Sequence, residues 1–249
     1  MASNSKSPKL RLDQALVSRG LIASREKASR HIMAGQVRVN GQVAHKASVE
    51  VTDDDKLELE AGDRFVSRGG HKLQAALDHF KIDVTGKTCL DIGSSTGGFT
   101  DCLLQAGARK VHSIDVGDAQ LDWKLRQDSR VTCQEGINAR YLKPENIGET
   151  IDLVVIDVSF ISLEKILPAA LEASRSREFV ILIKPQFEAG RDQVRKGGVV
   201  RDEEVRREVV ERIRSFVEKK LNLQWVGVVE SPLKGPAGNV EYLAYLRTL

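Results

Sequence analysis

The run Asp91-Ile92-Gly93-Ser94-Ser95-Thr96-Gly97-Gly98-Phe99 decides how this chain is read. It begins in an apolar stretch of strand length, 88–92, and runs into 98–106, which has helical spacing. A strand, a glycine-bearing loop and a helix in that order open a ligand-binding α/β unit. The glycines predict a sharp turn and a close approach of ligand to backbone. After Gly93 the next glycine is Gly97, so the G-x-G start of a dinucleotide fingerprint is missing. No Lys-Ser/Thr pair follows the glycines, which excludes a phosphate-binding P-loop.

Working outward, strand-like runs recur at 88–92, 110–116, 130–133, 151–158, 179–183, 224–229 and 242–246. Helical segments intervene at 98–106, 163–173 and 203–219. A further amphipathic helix carries Leu73, Ala76, Leu77 and Phe80 on one face. Pro168 should bend or interrupt the helix it falls in. This alternation predicts an α/β fold: a Rossmann-like, mostly parallel seven-stranded sheet with helices on both faces. The last two runs are joined only by 231–239, too short for a helical crossover, so the last strand should pair antiparallel.

The 249 residues are 41% hydrophobic and 29% charged, an ordinary balance for a soluble globular protein. No stretch approaches the roughly 20 apolar residues of a membrane helix. The polar residues 1–9, expected to be disordered, lack the apolar core of a secretory signal. Three widely spaced cysteines suggest neither a disulfide framework nor a zinc site. A reduced, cytoplasmic protein without a metal is expected. The net charge of +3 hides a segmentation: +7 over 1–48, −6 over 49–63 and +2 over the rest. A compact basic block favours phosphate backbones, although a solvated charged surface would look the same by charge alone.

Local pattern separates those two. Leu12, Ala15 and Leu16 have helical spacing, and Gly20 can stop that helix. Ser24 can cap a second helix with Ala28, Ile32 and Met33 on one face and Gly35 at its end. Val37-Arg38-Val39-Asn40-Gly41-Gln42-Val43 alternates around Asn-Gly, a strong hairpin signal. Arg25, Lys27, Arg30 and Arg38, with Arg11 before them, can then serve one surface. The text Leu10-Arg11-Leu12-Asp13, Gly20-Leu21-Ile22-Ala23-Ser24-Arg25 and Ile32-Met33-Ala34-Gly35-Gln36-Val37-Arg38-Val39-Asn40-Gly41 resembles the S4 RNA-binding domain. That resemblance implies a small α+β module docking on folded RNA, which is read largely by shape and phosphates. The expected organisation is an S4 domain over 10–61, a connection over 62–70 and a catalytic domain over 71–249.

The glycine loop itself resembles the D-x-G-x-x-x-G-G motif of S-adenosylmethionine-dependent methyltransferases. The resemblance implies that Asp91, Gly93, Ser94, Gly97 and Gly98 hold this cofactor. Asp115, at the end of the second strand, is placed to accept both ribose hydroxyls of an adenosine. Asn138, after the third strand, lies where this fold contacts the adenine. Any one of these residues could instead serve turn chemistry or capping, and Asn138 is balanced between the two.

Four more ionisable residues sit at element ends: Lys72, Asp157, Lys184 and Glu241. Each could belong to a structural salt-bridge set. Together they match the Lys-Asp-Lys-Glu tetrad of FtsJ-type ribose 2′-O-methyltransferases. Flanking text agrees at Ser67-Arg68-Gly69-Gly70-His71-Lys72, Asp157-Val158-Ser159-Phe160-Ile161-Ser162, Lys184-Pro185-Gln186-Phe187-Glu188 and Gly238-Asn239-Val240-Glu241-Tyr242. With the S4 module, the chain resembles the TlyA, or hemolysin A-like, family over nearly its whole length. The resemblance implies S-adenosylmethionine-dependent ribose 2′-O-methylation of 16S and/or 23S ribosomal RNA, at cytidine; a monomer without a membrane is expected.

The chemistry suits the residue types. A ribose hydroxyl must lose its proton as it attacks, and lysine serves as base only when brought toward neutrality. Burial and the neighbouring cation Lys72 are the two influences expected to do this to Lys184. Asp157 would orient Lys184 and the cofactor, and Glu241 would hold Lys72 or the target ribose. Two other classes stay open: a membrane-active hemolysin-like protein, and a non-catalytic RNA-binding assembly factor. Against the first stands the lack of a free lytic helix, and against the second the intact tetrad. His31, His45, His71, His79 and His112 show no metal-ligand spacing. Cys89, Cys102, Trp123 and Trp225 are expected to pack in the interior or half-buried.

Overall fold

A computed structural model describes residues 9–33, 35–59, 63–190, 193–194 and 197–248. The segment expected to be disordered, 1–9, lies outside them except for Lys9, as do Ala61 and Gly62 of the expected domain junction. The chain forms two compact units, 1–64 and 65–249.

The first unit runs β1 (Leu10–Arg11), α1 (Leu12–Ser18), α2 (Arg25–Met33), β2 (Val37–Val39), β3 (Gln42–Val43), β4 (Glu50–Val51) and β5 (Leu57–Leu59). Leu12, Ala15, Leu16, Ala28, Ile32 and Val37 bury one apolar cluster, as their spacing predicts. Ser24 Oγ accepts from the Lys27 amide at 3.3 Å and caps α2. Asn40 and Gly41 both take positive φ, +51° and +80°, which sets the two-residue turn between β2 and β3. Met33 departs from expectation: it is the last residue of α2 and 65% exposed, because the face turns away from the core there.

In the second unit α3 (Gly69–Phe80) precedes β6 (Thr88–Ile92), α4 (Gly98–Gln105), β7 (Lys110–Ile114), α5 (Trp123–Arg126) and β8 (Val131–Gln134). Next come α6 (Pro144–Ile147), β9 (Leu153–Ile156), α7 (Leu167–Ser174), β10 (Glu178–Ile183), α8 (Pro185–Glu188), α9 (Glu203–Lys220), β11 (Leu223–Glu230) and β12 (Tyr242–Thr248). The sheet order is β11-β12-β10-β9-β6-β7-β8. β12 pairs antiparallel with both neighbours and every other pairing is parallel. Both faces are covered, so β9 is apolar at every position and β10 at all but its first. Along β9, Leu153 and Val155 enter one core and Val154 and Ile156 the other. Burying each such side chain contributes about 1.5–3 kcal/mol.

Three local expectations are adjusted. Pro168 stands in the first turn of α7, after a separate 3-10 turn at Leu163–Lys165, so the single helix over 163–173 is two pieces. Of the expected connection 62–70, Phe65 is 3% exposed in the core of the second unit, and α3 starts at Gly69. An apolar ring gains more from burial there than from spanning solvent. Trp123 is 62% exposed rather than packed, since only Leu125 of the short α5 reaches the interior.

Candidate active site

The strand ends assemble the site. β6, β9 and β10 are parallel, so the residues just past them, Gly93, Asp157 and Lys184, emerge along one edge. Asp157 N donates to Ile92 O at 2.9 Å, which fixes the first two side by side. β12 runs the other way, so the residue just before it, Glu241, starts at that same edge, with Tyr242 opposite Ile183. Lys72 comes from the first turns of α3. All four residues of the expected tetrad are therefore brought together.

They meet as two ion pairs. Lys72 Nζ lies 2.5 Å from Glu241 Oε2, with side chains 10% and 1% exposed. Lys184 Nζ lies 2.5 Å from Asp157 Oδ1, with side chains 11% and 22% exposed. The second pair is a charge contact rather than an aligned hydrogen bond; the directional bond runs from Lys184 Nζ to Ser159 Oγ at 2.9 Å. Glu241 also accepts from Gln186 Nε2 at 3.0 Å. Lys72 was expected to act on Lys184 as a neighbouring cation. Lys72 is instead paired with its own carboxylate, Glu241.

Two cavities flank these pairs. One of about 280 Å³ is lined by Ser67, Lys72, Ser94, Thr96, Lys184 and Glu241, among others. The other, about 450 Å³, has apolar walls from Ile114, Val116, Ile137 and Ile161, with Asp115 and Asn138. Gly93, Ser95, Asp157 and Ser159 border both. Asp115 Oδ2 accepts from Ser95 N at 2.7 Å and Oδ1 from Gly117 N at 2.8 Å. Each oxygen keeps a second lone pair for a ligand hydroxyl. Asn138 caps the turn Ala139–Tyr141 through Arg140 N at 3.1 Å while also bordering the larger cavity. The loop opposite is held by Glu135, which accepts from the Ala119 and Gln120 amides and from Arg126. The Arg126 bond above all holds Glu135 down at about 2.

Gly93, Ser94 and Gly98 of the glycine loop line the smaller cavity, and two of these glycines also relieve contacts within the protein. A β-carbon on Gly93 (φ +84°) would sit 2.5 Å from Asp157 O, so Gly93 admits the neighbouring strand end. One on Gly98 would sit 2.3 Å from Ser67 Oγ. Gly93 thus makes room for backbone, and Gly98 for the Ser67 hydroxyl and the start of α3. Gly97 and Asp91 border neither cavity. Asp91 is fully buried behind the loop, where Oδ2 accepts from Thr100 Oγ1 at 2.6 Å and Oδ1 has no partner among the described residues. Burial pushes its carboxyl up to about 7.

Several side chains at this edge carried no separate sequence signal. Ser159 reaches Lys184, and Phe160 is 90% exposed with φ +63°. Its ring lies 4.8 Å from that of Phe187, over which Lys184 Nζ stands at 5.9 Å. A bulky aromatic in left-handed backbone beside a site is a functional pointer, but φ is not written in composition.

In the first unit, Arg11 and Arg25 converge on Asp13, with contacts of 3.1 and 3.0 Å to a carboxylate 6% exposed. Burial pushes Asp13 up, but its bonds to Arg11 and Arg25 outweigh this and hold it below the usual carboxylate range. Arg30 pairs with Glu26 at 2.8 Å, Arg38 donates to Gly41 O at 3.1 Å, and Lys27 is exposed. The surface expected for RNA is thus basic but partly self-paired. Among the described residues no group of His, Cys, Asp and Glu could hold a metal, and no helix is long and apolar enough to cross a membrane.

A Rossmann-like sheet with a glycine loop, an acid after the second strand and a Lys-Asp-Lys-Glu set at one edge defines a methyltransferase. The FtsJ-like methyltransferase family matches residues 65–248 and the S4 domain residues 10–57, and the chain belongs to that methyltransferase family. It is 49% identical over 243 residues to the 16S/23S rRNA (cytidine-2′-O)-methyltransferase TlyA of Mycobacterium tuberculosis, covering 96% of this chain and 90% of that one. It is 44% identical to Hemolysin A of Brachyspira hyodysenteriae, covering 95% and 99%. The solved structure of a protein provisionally named as a hemolysin, from Streptococcus thermophilus, superposes with a TM-score of 0.74 at 42% identity, covering 98% and 90%.

Proposed function

We propose that this enzyme methylates ribose 2′-hydroxyls of ribosomal RNA, with the S4 unit docking the RNA and S-adenosylmethionine as methyl donor. The observation that carries the reading is the two cation–carboxylate contacts, one buried and one half-buried, on the edge between two cavities that share Gly93, Ser95, Asp157 and Ser159. The residues fit the cofactor: apolar walls for an adenine, Asp115 for ribose hydroxyls, and a polar loop for an amino-acid tail. When bound, S-adenosylmethionine supplies a methyl group on a positively charged sulfur.

The chain's own residues do the rest. Lys184 Nζ, in its neutral amine form, takes the proton from the ribose hydroxyl as the oxygen attacks and becomes the ammonium paired with Asp157. Asp157 and Ser159 hold that nitrogen in place. Lys72, locked by Glu241, presents a fixed ammonium where negative charge develops on the oxygen. Phe160, exposed at the mouth of the larger cavity, offers a face for the target base. Much of the rate comes from this positioning.

The test is mass-spectrometric mapping of ribose methylation in small- and large-subunit RNA, with wild-type enzyme and with Lys184→Ala. A ribose methyl that appears with wild type and is lost in Lys184→Ala, while cofactor binding persists, is the expected result. Full activity in Lys184→Ala removes the base assignment.

A further inference from the structure

Two short segments carry the reacting end of the site: 157–163 after β9 and 184–188 after β10. Three rungs join them. At the first, Lys184 contacts Asp157 and bonds Ser159. In the middle, the rings of Phe160 and Phe187 pack at 4.8 Å. At the last, Glu188 accepts from Ser162 Oγ at 2.7 Å and from the Leu163 amide at 2.7 Å. The Glu188 side chain is 2% exposed, and Arg212 of α9 reaches it at 3.2 Å. Glu188 borders neither cavity.

What needs holding is Phe160. Its φ of +63° is disfavoured for any residue with a β-carbon, and at 90% exposure its own burial supplies little compensation. Such a conformation persists only where the surroundings over-determine it. The first rung is part of the chemistry and the middle one is an open ring contact. The third is the firm one: a charged acceptor shielded from water, bonded to a hydroxyl and a backbone amide.

We infer that Glu188 is a positioning residue, which holds the 157–163 segment against 184–188 so that Ser159, Phe160 and Lys184 keep their places. The inference rests on the reading of Lys184 as the base. Glu188 acts only through the segment it ties down and touches no reacting atom.

The test compares Glu188→Ala and Glu188→Gln in the full chain. A carboxamide can still accept from the Leu163 amide and donate to Ser162, so it keeps the rung and gives up only the side-chain contact with Arg212, which still donates to the backbone carbonyl at 188. Alanine removes the rung. In Glu188→Ala, deuterium exchange over 157–165 rises, and kcat on ribosomal RNA falls by about tenfold to a hundredfold, the scale of a misplaced group. Affinity for S-adenosylmethionine, by calorimetry, stays near wild type. Glu188→Gln stays near wild type in all three. Unchanged exchange and kcat in Glu188→Ala overturn the inference. So does a joint loss of cofactor binding, kcat and thermal stability, which marks a general structural role, and so does Glu188→Gln behaving like alanine. An active Lys184→Ala run in parallel refutes the base assignment instead, and the exchange measurement still decides the rung.

Discussion

Lys72 and Glu241 stand 169 residues apart in sequence and meet at 2.5 Å with almost no water around them. The pair ties the first turns of α3 to the start of β12, and Gln186 fills the second carboxylate oxygen. Its geometry makes Lys72 a fixed cation rather than a mobile one.

Removing one partner leaves the other charge buried and alone. Glu241→Ala should therefore cost about 3–5 kcal/mol of unfolding free energy. The double change Lys72→Met with Glu241→Leu should recover much of that stability while methyl transfer stays lost. Denaturant unfolding of the three proteins checks this, and a double variant as unstable as the single would deny that the pair is self-compensating.

Asp115 organises the larger cavity by accepting from Ser95 and Gly117. Asp115→Ala should weaken S-adenosylmethionine binding by about tenfold to a hundredfold, the worth of bonds to a charged acceptor. Turnover at saturating cofactor should change much less. Calorimetric titration beside steady-state kinetics separates the two quantities.

Asp91 carries a pH signature. Its folded carboxyl is raised to about 7 by burial, against an ordinary value of 3.8. Below about 4 both folded and unfolded forms hold the proton. As pH rises toward 7 only the folded form still does, so this group's contribution to stability is lost through that window. Asp91→Asn has no proton to lose. Its thermal midpoint, measured against wild type, should gain more at pH 8 than at pH 5; equal gains would remove burial as the cause.

The S4 unit holds the basic block, with Asp13 pre-arranging Arg11 and Arg25. Deleting residues 1–60 should weaken binding to ribosomal RNA and flatten its salt dependence by roughly 0.7–0.9 log units per lost phosphate contact. The catalytic unit has apolar cores on both sheet faces and should keep its cofactor affinity. Binding titrations across a potassium chloride series test both statements.

Much of this protein could be read along the chain because the relevant forces are local. Apolar runs marked the strands of the sheet, and period-3.6 patterns the longer helices α3, α4, α7 and α9, but not the one-turn helices α5, α6 and α8. Asn40-Gly41 announced its turn because its conformational preference is its own. The crevice residues were legible too, since Gly93, Asp157 and Lys184 each follow an apolar run, and parallel strands deliver such ends to one edge.

Partner choice was not local, and the tertiary structure decided it. Nothing near Lys72 names Glu241; only the reversed direction of β12 brings that carboxylate to the same edge. Nothing around Gly98 says that Ser67 will lie against it, or that Asp91 will turn inward to Thr100 and away from both cavities. Glu188 reads as one more charge in a motif until its bonds to Ser162 and Leu163 are seen. Sequence by itself determined which elements form and which chemistry sits at their ends. Packing determined which charges neutralise one another, because electrostatic contacts depend on distances that only the crossing of separate elements sets.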